Sequence, residues 1–122
     1  MANGIPTIHE ADAASITLPV ASSKPTSLTG QTESSLTLWE SSDGHVQLGV
    51  WECSPGTFTA TRDGYDEVAQ ILFGMATITT DEGQTCELGS GSVFVTPSGW
   101  SGTWTIHETI RKTYVIRTIS SH

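Results

Sequence analysis

The chain has 122 residues, and its five Lys and Arg against thirteen Asp and Glu give a formal charge of −8. A chain of this length can bury one core without disulfide or metal staples, so we expect a single domain. An acidic surface repels a phosphate backbone, and no apolar run approaches the roughly 20 residues that cross a bilayer, so we expect no nucleic-acid partner and no membrane partner.

The first segment, residues 1–35, is rich in Ser, Thr, Ala and Pro, with only scattered apolar residues. This composition predicts a partly extended N-terminal arm that contains a short strand. The start of the chain also lacks the basic residues and the apolar block of a secretory signal. We therefore expect a cytoplasmic protein.

From Ser35 onward the apolar residues alternate with polar ones, which is the period of a half-buried strand. Three short strands are predicted over the letters SLTLWE, HVQLGVWECS and TFTATR. The Ser- and Gly-containing segments at residues 41–44 and 54–56 supply the turns between them. Thr, Val, Ile and Trp dominate these strands and suit a pleated surface with one buried face.

The central stretch runs from Asp66 to Pro97. We predict a strand, a glycine corner at Gly74, a hairpin closed at Gly83, a second corner at Gly91 and another strand. Two more strands follow, over GTWTI and RKTYVIRT, and no segment carries an apolar stripe at helical period. Many short strands separated by glycine turns predict an all-β domain, either a small barrel or a sandwich.

Two cysteines, Cys53 and Cys86, stand on separate predicted strands, with no Cys or His nearby at metal-ligand spacing. We expect buried, reduced thiols that pack as small hydrophobic side chains, in preference to a catalytic or disulfide role.

Around the central stretch the sequence resembles the two motifs of the cupins. Glu67 is followed by six residues and Gly74, and Gly91 by five residues, Pro97, one residue and Gly99. The words GVWECSPG, DEVAQILFG, GWSGTW and ETIRKTYVI are more narrowly similar to the ethanolamine-utilisation and ureidoglycine-aminohydrolase-like cupins. The resemblance covers roughly residues 36–117. It implies a single-domain jelly-roll barrel over residues 36–122, preceded by the arm.

Metal-binding cupins hold their ion with two His and a Glu from the first motif and a His from the second. In this chain the two His positions fall on Ala60 and Arg62, or on Thr61 and Asp63 if the loop is one residue shorter, and the fourth falls on Gly102. One carboxylate cannot hold a transition metal, so we expect no metal and no other cofactor. The histidines share no ligand spacing; they are His9, His45, His107 and His122.

Strand alternation then assigns side chains to faces. The family pattern places Glu67 inside the barrel. On the last strand, the face with Arg111 and Arg117 should be the wetter one, which turns Lys112 and Tyr114 inward. The apolar residues expected in the core are Ala69, Ile71, Trp104 and Ile106.

The barrel mouth should therefore gather one carboxylate, two cations, two phenols and an indole. A lysine beside a carboxylate in a partly dry pocket can act as a general acid or base, so Glu67 and Lys112 are the predicted catalytic pair. The predicted ligand-binding residues are Arg62, Tyr65, Trp104 and Tyr114. Trp104 could instead be core that fills the space left at Gly102.

Two functions stay open at this point. The first is an enzyme acting on a small polar metabolite that bears nitrogen or a carboxylate, a substrate class that the resemblance implies. The second is a non-catalytic binding or accessory module, in which Glu67 and its partner form a structural ion pair. Because cupins commonly pair through sheet edges, we also expect a homodimer.

Overall fold

The computed structural model describes residues 6–119, and its regular structure in that range consists of antiparallel strands. The strands are β1 (Ser22–Ser23), β2 (Thr32–Glu40), β3 (Val46–Cys53), β4 (Gly56–Thr61), β5 (Tyr65–Thr80), β6 (Thr85–Leu88), β7 (Val93–Thr96) and β8 (Ser101–Thr118). No helix in this range is long and apolar enough to span a membrane. The prediction of an all-β fold is confirmed. The predicted arm contains β1 and the start of β2, and His122 lies outside the described residues.

Two long strands, β5 and β8, pair with each other along almost their whole lengths and belong to both layers of the fold. The second half of β8 and the first half of β5 join β1, β2, β3 and β7 in a first sheet. The other halves of β5 and β8 join β4 and β6 in a second sheet. The alternating residues of the two sheets face each other and enclose one core.

The chain turns from one sheet to the other within β5, around Gly74. The sequence predicted a corner that interrupts the strand there, and this was wrong: β5 stays paired with β8 through an irregular register between Ile71 and Ala76. Gly74 has φ of +97°, and a Cβ at this position would lie 2.5 Å from the Cα of Ile110. A bend inside a paired strand therefore replaces the predicted corner. The predicted turns at Gly83 and Gly91 are present.

The core lies between the sheets and contains the apolar residues that alternation placed there. The four predicted core residues are at most 3% exposed; they are Ala69, Ile71, Trp104 and Ile106. Trp51 and Phe58 join Trp104 in one aromatic cluster, with ring centroids 5.6–6.0 Å apart. Such pairs add to the free energy gained by burial, so this cluster ties the first sheet to the second.

The arm covers part of the outer face of the first sheet. The guanidinium of Arg111 donates to the carbonyls of Ala13, Ala14 and Ile16 at 2.9–3.2 Å and pairs with Glu52 at 2.8 Å. Arg111 is consequently buried, and the expectation that its face would be wet was wrong at this position. No periodicity in the arm predicts that it returns to β8.

One of the two cysteines differs from expectation. Cys53 is buried, and its burial raises the pKa of the thiol to about 11, which keeps the sulfur protonated and inert. Cys86 lies on the short strand β6 and is exposed, so the prediction of a buried thiol was wrong there. Strand β6 pairs with one strand only, β5, where Ile78 lies opposite Cys86. Because the other edge of β6 has no partner strand, its residues stay in solvent.

Candidate functional site

A cavity of about 320 Å³ lies between the two sheets and is lined by side chains of both. All six predicted site residues line it; they are Arg62, Tyr65, Glu67, Trp104, Lys112 and Tyr114. The structure thus brings together residues from β5, β8 and the end of β4. The volume of the cavity is at the lower end of the range for small-molecule pockets, roughly 300–1,000 Å³.

The strand register places the two predicted catalytic residues. Lys112 lies in β8 between Trp51 of β3 and Ile71 of β5, and Glu67 pairs with Ile116, which is four residues further along β8. Their side chains share the inner face because both strands alternate in phase. The long lysine side chain can therefore reach along the sheet to the carboxylate.

Two buried cations hold the carboxylate of Glu67. The ammonium of Lys112 donates to Oε2 at 2.5 Å, and the guanidinium of Arg62 lies 3.5 Å from Oε1. All three side chains are less than 10% exposed. A buried carboxylate requires such partners because an unpaired charge in a dry site is very costly.

Both members of the pair have shifted pKa values. Burial alone would raise the pKa of Glu67, but the attraction of Lys112 and Arg62 outweighs it and holds the pKa below its ordinary value. Burial lowers the pKa of Lys112, against the opposing attraction of Glu67. The physical reason is that burial removes the ammonium from water, which disfavours its charged form, and the positive charge of Arg62 adds to this effect. The pKa of Lys112 is therefore shifted in the direction that makes release of its proton easier.

The remaining polar side chains at the cavity are partly engaged with the protein. The Nε of Arg62 donates to Thr96 at 3.0 Å, and the hydroxyl of Tyr65 donates to the carbonyl of Thr61 at 3.2 Å. Burial raises the pKa of Tyr114, so this phenol stays protonated at neutral pH. The two tyrosines and Arg62 form a polar part of the cavity wall.

Trp104 is completely buried against Phe58, whose ring stacks on it with an interplanar angle of 16°. The Nζ of Lys112 lies 4.9 Å from the centre of the indole. The indole Nε1 of Trp104 is buried without a hydrogen-bond acceptor among residues 6–119. Trp104 is a core residue that also lines the cavity.

Sequence reasoning missed Lys24, which comes from the arm. Its ammonium lies 4.3 Å from the centre of the Phe58 ring and pairs with Glu33 at 2.8 Å. The indole N–H of Trp51 donates to the same carboxylate oxygen at 2.9 Å. No periodicity in the sequence predicts that Lys24 reaches the cavity. The arm is brought there by backbone hydrogen bonds between residues 26–28 and β4.

The residues present do not fit the metal that cupins hold. Ala60 and Gly102 offer no ligand, and Arg62 and Lys112 bring two cations to the remaining carboxylate. A Cβ at residue 102 would lie 2.6 Å from the carbonyl oxygen of Thr79 and 2.7 Å from the Trp100 ring. Trp100 therefore fills the space that a His at residue 102 would need. The sequence analysis considered Trp104 for this role, which was wrong. Within residues 6–119, no three His, Cys, Asp or Glu lie close enough to hold a metal ion.

Comparison by sequence identifies one family. A family model described as the EutQ-like cupin domain matches residues 40–114. No curated protein matches the chain significantly.

Solved structures resemble this fold over most of its length. The EutQ protein of Clostridium difficile is 18% identical, with 92% of this chain and 88% of that chain covered and a TM-score of 0.74. A putative ethanolamine utilization protein Q of Salmonella typhimurium is 21% identical, with coverages of 82% and 80% and a TM-score of 0.67. A protein of unknown function from Pseudomonas syringae is 18% identical, with a TM-score of 0.72; 86% of this chain covers 46% of that one, less than half its length. At these identities the likeness shows the fold, and the predicted cupin jelly roll is confirmed.

Proposed function

Because the chain belongs to the EutQ-like cupin family, we propose that its barrel binds a small polar metabolite and moves a proton on it through Lys112 and Glu67. The observation that carries this proposal is the buried ammonium–carboxylate pair in the wall of the cavity. A general acid or base must lie within hydrogen-bond reach of its substrate and must have a pKa near the working pH. Lys112 lines the cavity in which a substrate would bind, and burial moves its pKa in the required direction.

Named relatives support a small polar substrate. Structural neighbours of this chain include proteins named for ethanolamine utilization, a predicted oxalate decarboxylase and an ectoine synthase. These names refer to small molecules that carry nitrogen or carboxylate groups. We extend only this substrate class to the present chain, and we assign the proton transfer to Lys112 because the site lacks the ligands for a metal.

A second candidate is a non-catalytic binding or accessory module. It is favoured by one observation, the full engagement of Glu67 by both Lys112 and Arg62. In that case the triad is a structural ion pair that closes the barrel, and the cavity holds a ligand without changing it.

Proton transfer can be tested by incubating the protein in D₂O with small amino acids, hydroxy acids and amides, and following carbon-bound protons by NMR. We expect one class to exchange protons or to turn over, and Lys112→Met to reduce the rate by about 10²-fold or more. Arg117→Gln is the control, because Arg117 lies in the same strand but is exposed and pairs with Asp66. Binding without exchange or turnover would establish the second candidate and refute proton transfer.

We also propose that the protein pairs with a second copy of itself through the outer face of the first sheet. A row of apolar side chains crosses five strands of this sheet; it consists of Trp39, Leu48, Val115, Val68 and Val95. Val68 and Val95 are 43% and 56% exposed. A continuous apolar stripe of this kind is characteristic of an interaction surface, and a symmetric pair would bury it against itself.

Sedimentation equilibrium should then give twice the 13.0 kDa mass of one chain. The double change Val68→Lys and Val95→Lys should shift the population to monomers, because it places like charges opposite each other in a symmetric interface. Val20→Lys is the control, since Val20 lies on the arm and is 96% exposed. A wild-type protein that stays monomeric at high micromolar concentration would contradict the proposal.

A further inference from the structure

We propose that Lys112 reacts covalently with the substrate, and that its Nζ forms an imine with the carbonyl carbon of a small aldehyde or ketone. This inference rests on the proposed function, because it names the substrate class of that same cavity. Three features carry it: the position of Lys112 on the cavity, the aromatic rings beside its ammonium, and the carboxylate of Glu67 within reach of its protons.

The accessible surface of the Lys112 side chain lies on the cavity. Strands β3 and β5 pair with β8 on either side of this residue, and its side chain is on the inner face, where it contacts Glu67. Solvent still reaches 6% of the side chain, and Lys112 lines the cavity. The two groups beside its Nζ, the Glu67 carboxylate and the Trp51 ring, line the same cavity. A small molecule in the cavity can therefore contact this end of the lysine.

The surroundings of the ammonium suit a lysine nucleophile. The Nζ of Lys112 lies 4.5 Å from the centre of the Trp51 ring and 4.9 Å from that of Trp104. Burial lowers the pKa of Lys112, and the nearby positive charge of Arg62 adds to this effect. A lysine attacks a carbonyl group only as the neutral amine, and enzymes make that form available by desolvation or by a neighbouring cation.

The reaction balances within the site. The Nζ of Lys112 bonds to the carbonyl carbon, the carbon–oxygen bond breaks, and the oxygen leaves as water with two of the three ammonium protons. The third proton and the positive charge stay on the iminium nitrogen, so the step consumes no oxidant or reductant. Glu67 accepts a hydrogen bond from Nζ at 2.5 Å. It can therefore take a proton from the ammonium before the attack and give it to the leaving oxygen.

The groups that hold the ammonium would also hold the iminium. Its charge and its remaining N–H are on the same atom, so the carboxylate of Glu67 keeps its partner. The rings of Trp51 and Trp104 likewise remain close to a cation. An iminium withdraws electrons from the adjacent carbon and makes its C–H bond more acidic. Glu67 is then the base for the proton transfer of the proposed function.

The chain provides a control within the same molecule. Its two lysines are Lys24 and Lys112, and both line the cavity. The side chains of Lys24 and its partner Glu33 are 12% and 24% exposed, against 6% and 8% for Lys112 and Glu67. Lys24 is therefore the more solvated lysine, and its reaction with a carbonyl compound measures the non-specific background.

The test incubates the full chain at neutral pH with propionaldehyde, glyoxylate, pyruvate or acetone, in the presence of cyanoborohydride to reduce any imine. Peptide mapping by mass spectrometry then assigns the added mass to Lys112, Lys24 or the α-amino group. We expect at least one probe to label Lys112 about tenfold or more faster than Lys24. The reason is that an ordinary lysine is neutral in fewer than about one molecule in 10³ at this pH.

Two controls accompany the labelling. In guanidinium chloride, where the fold is lost, Lys112 and Lys24 should react at similar rates. The alcohols 1-propanol and lactate should leave no adduct, because they have no aldehyde or ketone group.

The outcomes separate this inference from the proposed function. Equal labelling of Lys112 and Lys24 in the folded chain, or no adduct at Lys112, would overturn the imine. Proton exchange in D₂O that depends on Lys112 would then leave the proposed function standing. An adduct at Lys112 without any exchange of carbon-bound protons would support the imine and refute the proton transfer. Failure of both experiments would overturn both.

Discussion

Replacing Glu67 with Gln should lower the free energy of unfolding by about 3 kcal/mol. The change is nearly isosteric, but it leaves Lys112 and Arg62 facing each other in a buried site without an anion between them. Removing one partner of a buried ion pair is much more costly than the pair is worth, because the other charge stays dehydrated. Urea unfolding followed by tryptophan fluorescence measures the change.

The double variant Glu67→Gln with Lys112→Met identifies the cause. It should recover much of the lost stability, since the second change removes the orphaned cation. Asp66→Asn is the matched control, because Asp66 is the neighbouring acid and pairs with the exposed Arg117. This control should barely move the unfolding midpoint. Strictly additive effects of the Glu67 and Lys112 changes would contradict the shared buried site.

The pH dependence of the Glu67→Gln variant follows from Lys112. Burial lowers the pKa of Lys112 from its usual 10.5 in the folded protein. Between the folded pKa and 10.5, the unfolded chain binds the proton and the folded chain does not, so stability rises with pH in that window. The variant should therefore recover part of its loss at alkaline pH, where the orphaned lysine becomes neutral.

A second large effect is expected at the bend between the two sheets. Gly74→Ala should destabilise the fold by about 3 kcal/mol, the sum of an unfavourable positive φ and of crowding in a packed site. Its Cβ would lie 2.5 Å from the Cα of Ile110, and backbone atoms cannot move aside as a flexible side chain can. Thermal or urea unfolding of the variant gives the loss directly.

Gly91→Ala separates the two causes. Gly91 has φ of +90°, similar to Gly74, but a Cβ there would meet no atom within 4 Å. Gly91→Ala should therefore lower the free energy of unfolding only by the cost of the positive φ, about 1–2 kcal/mol. Equal losses for Gly74→Ala and Gly91→Ala would show that the close approach of β5 and β8 adds nothing.

Local alternation predicted the all-β class, and the resemblance to cupins predicted the jelly roll and the inward position of Glu67. The alternation of the last strand turned Lys112 inward, and the structure has the two side chains in contact. Gly74 was recognised as a special backbone position, but a glycine with positive φ fits a corner and a bend equally well. Which of the two forms depends on the partner strand, and a single strand's sequence does not contain that information.

The parts of the site that were missed depend on tertiary contacts. Lys24 reaches the cavity only because the arm bonds to β4, and Arg111 is buried only because the arm returns across β8. Neither segment of the arm has a period from which a face could be read. Trp100 lies over Gly102 because the turn after Pro97 brings it there, and strand alternation does not predict that position.

The packing of Trp100 over Gly102 also constrains how this protein could change. A histidine at residue 102 would collide with the indole and with the backbone of Thr79, so it is harmful while Trp100 remains. Shrinking Trp100 first would open a void beside Arg62, whose guanidinium lies 5.8 Å from that ring. Removing Trp100 would leave the collision with the carbonyl oxygen of Thr79, because backbone atoms cannot move aside as a side chain can. An engineer who wants an ion in this barrel must therefore shift the backbone of β5 as well as change residues 100 and 102, and stepwise selection would find that route closed.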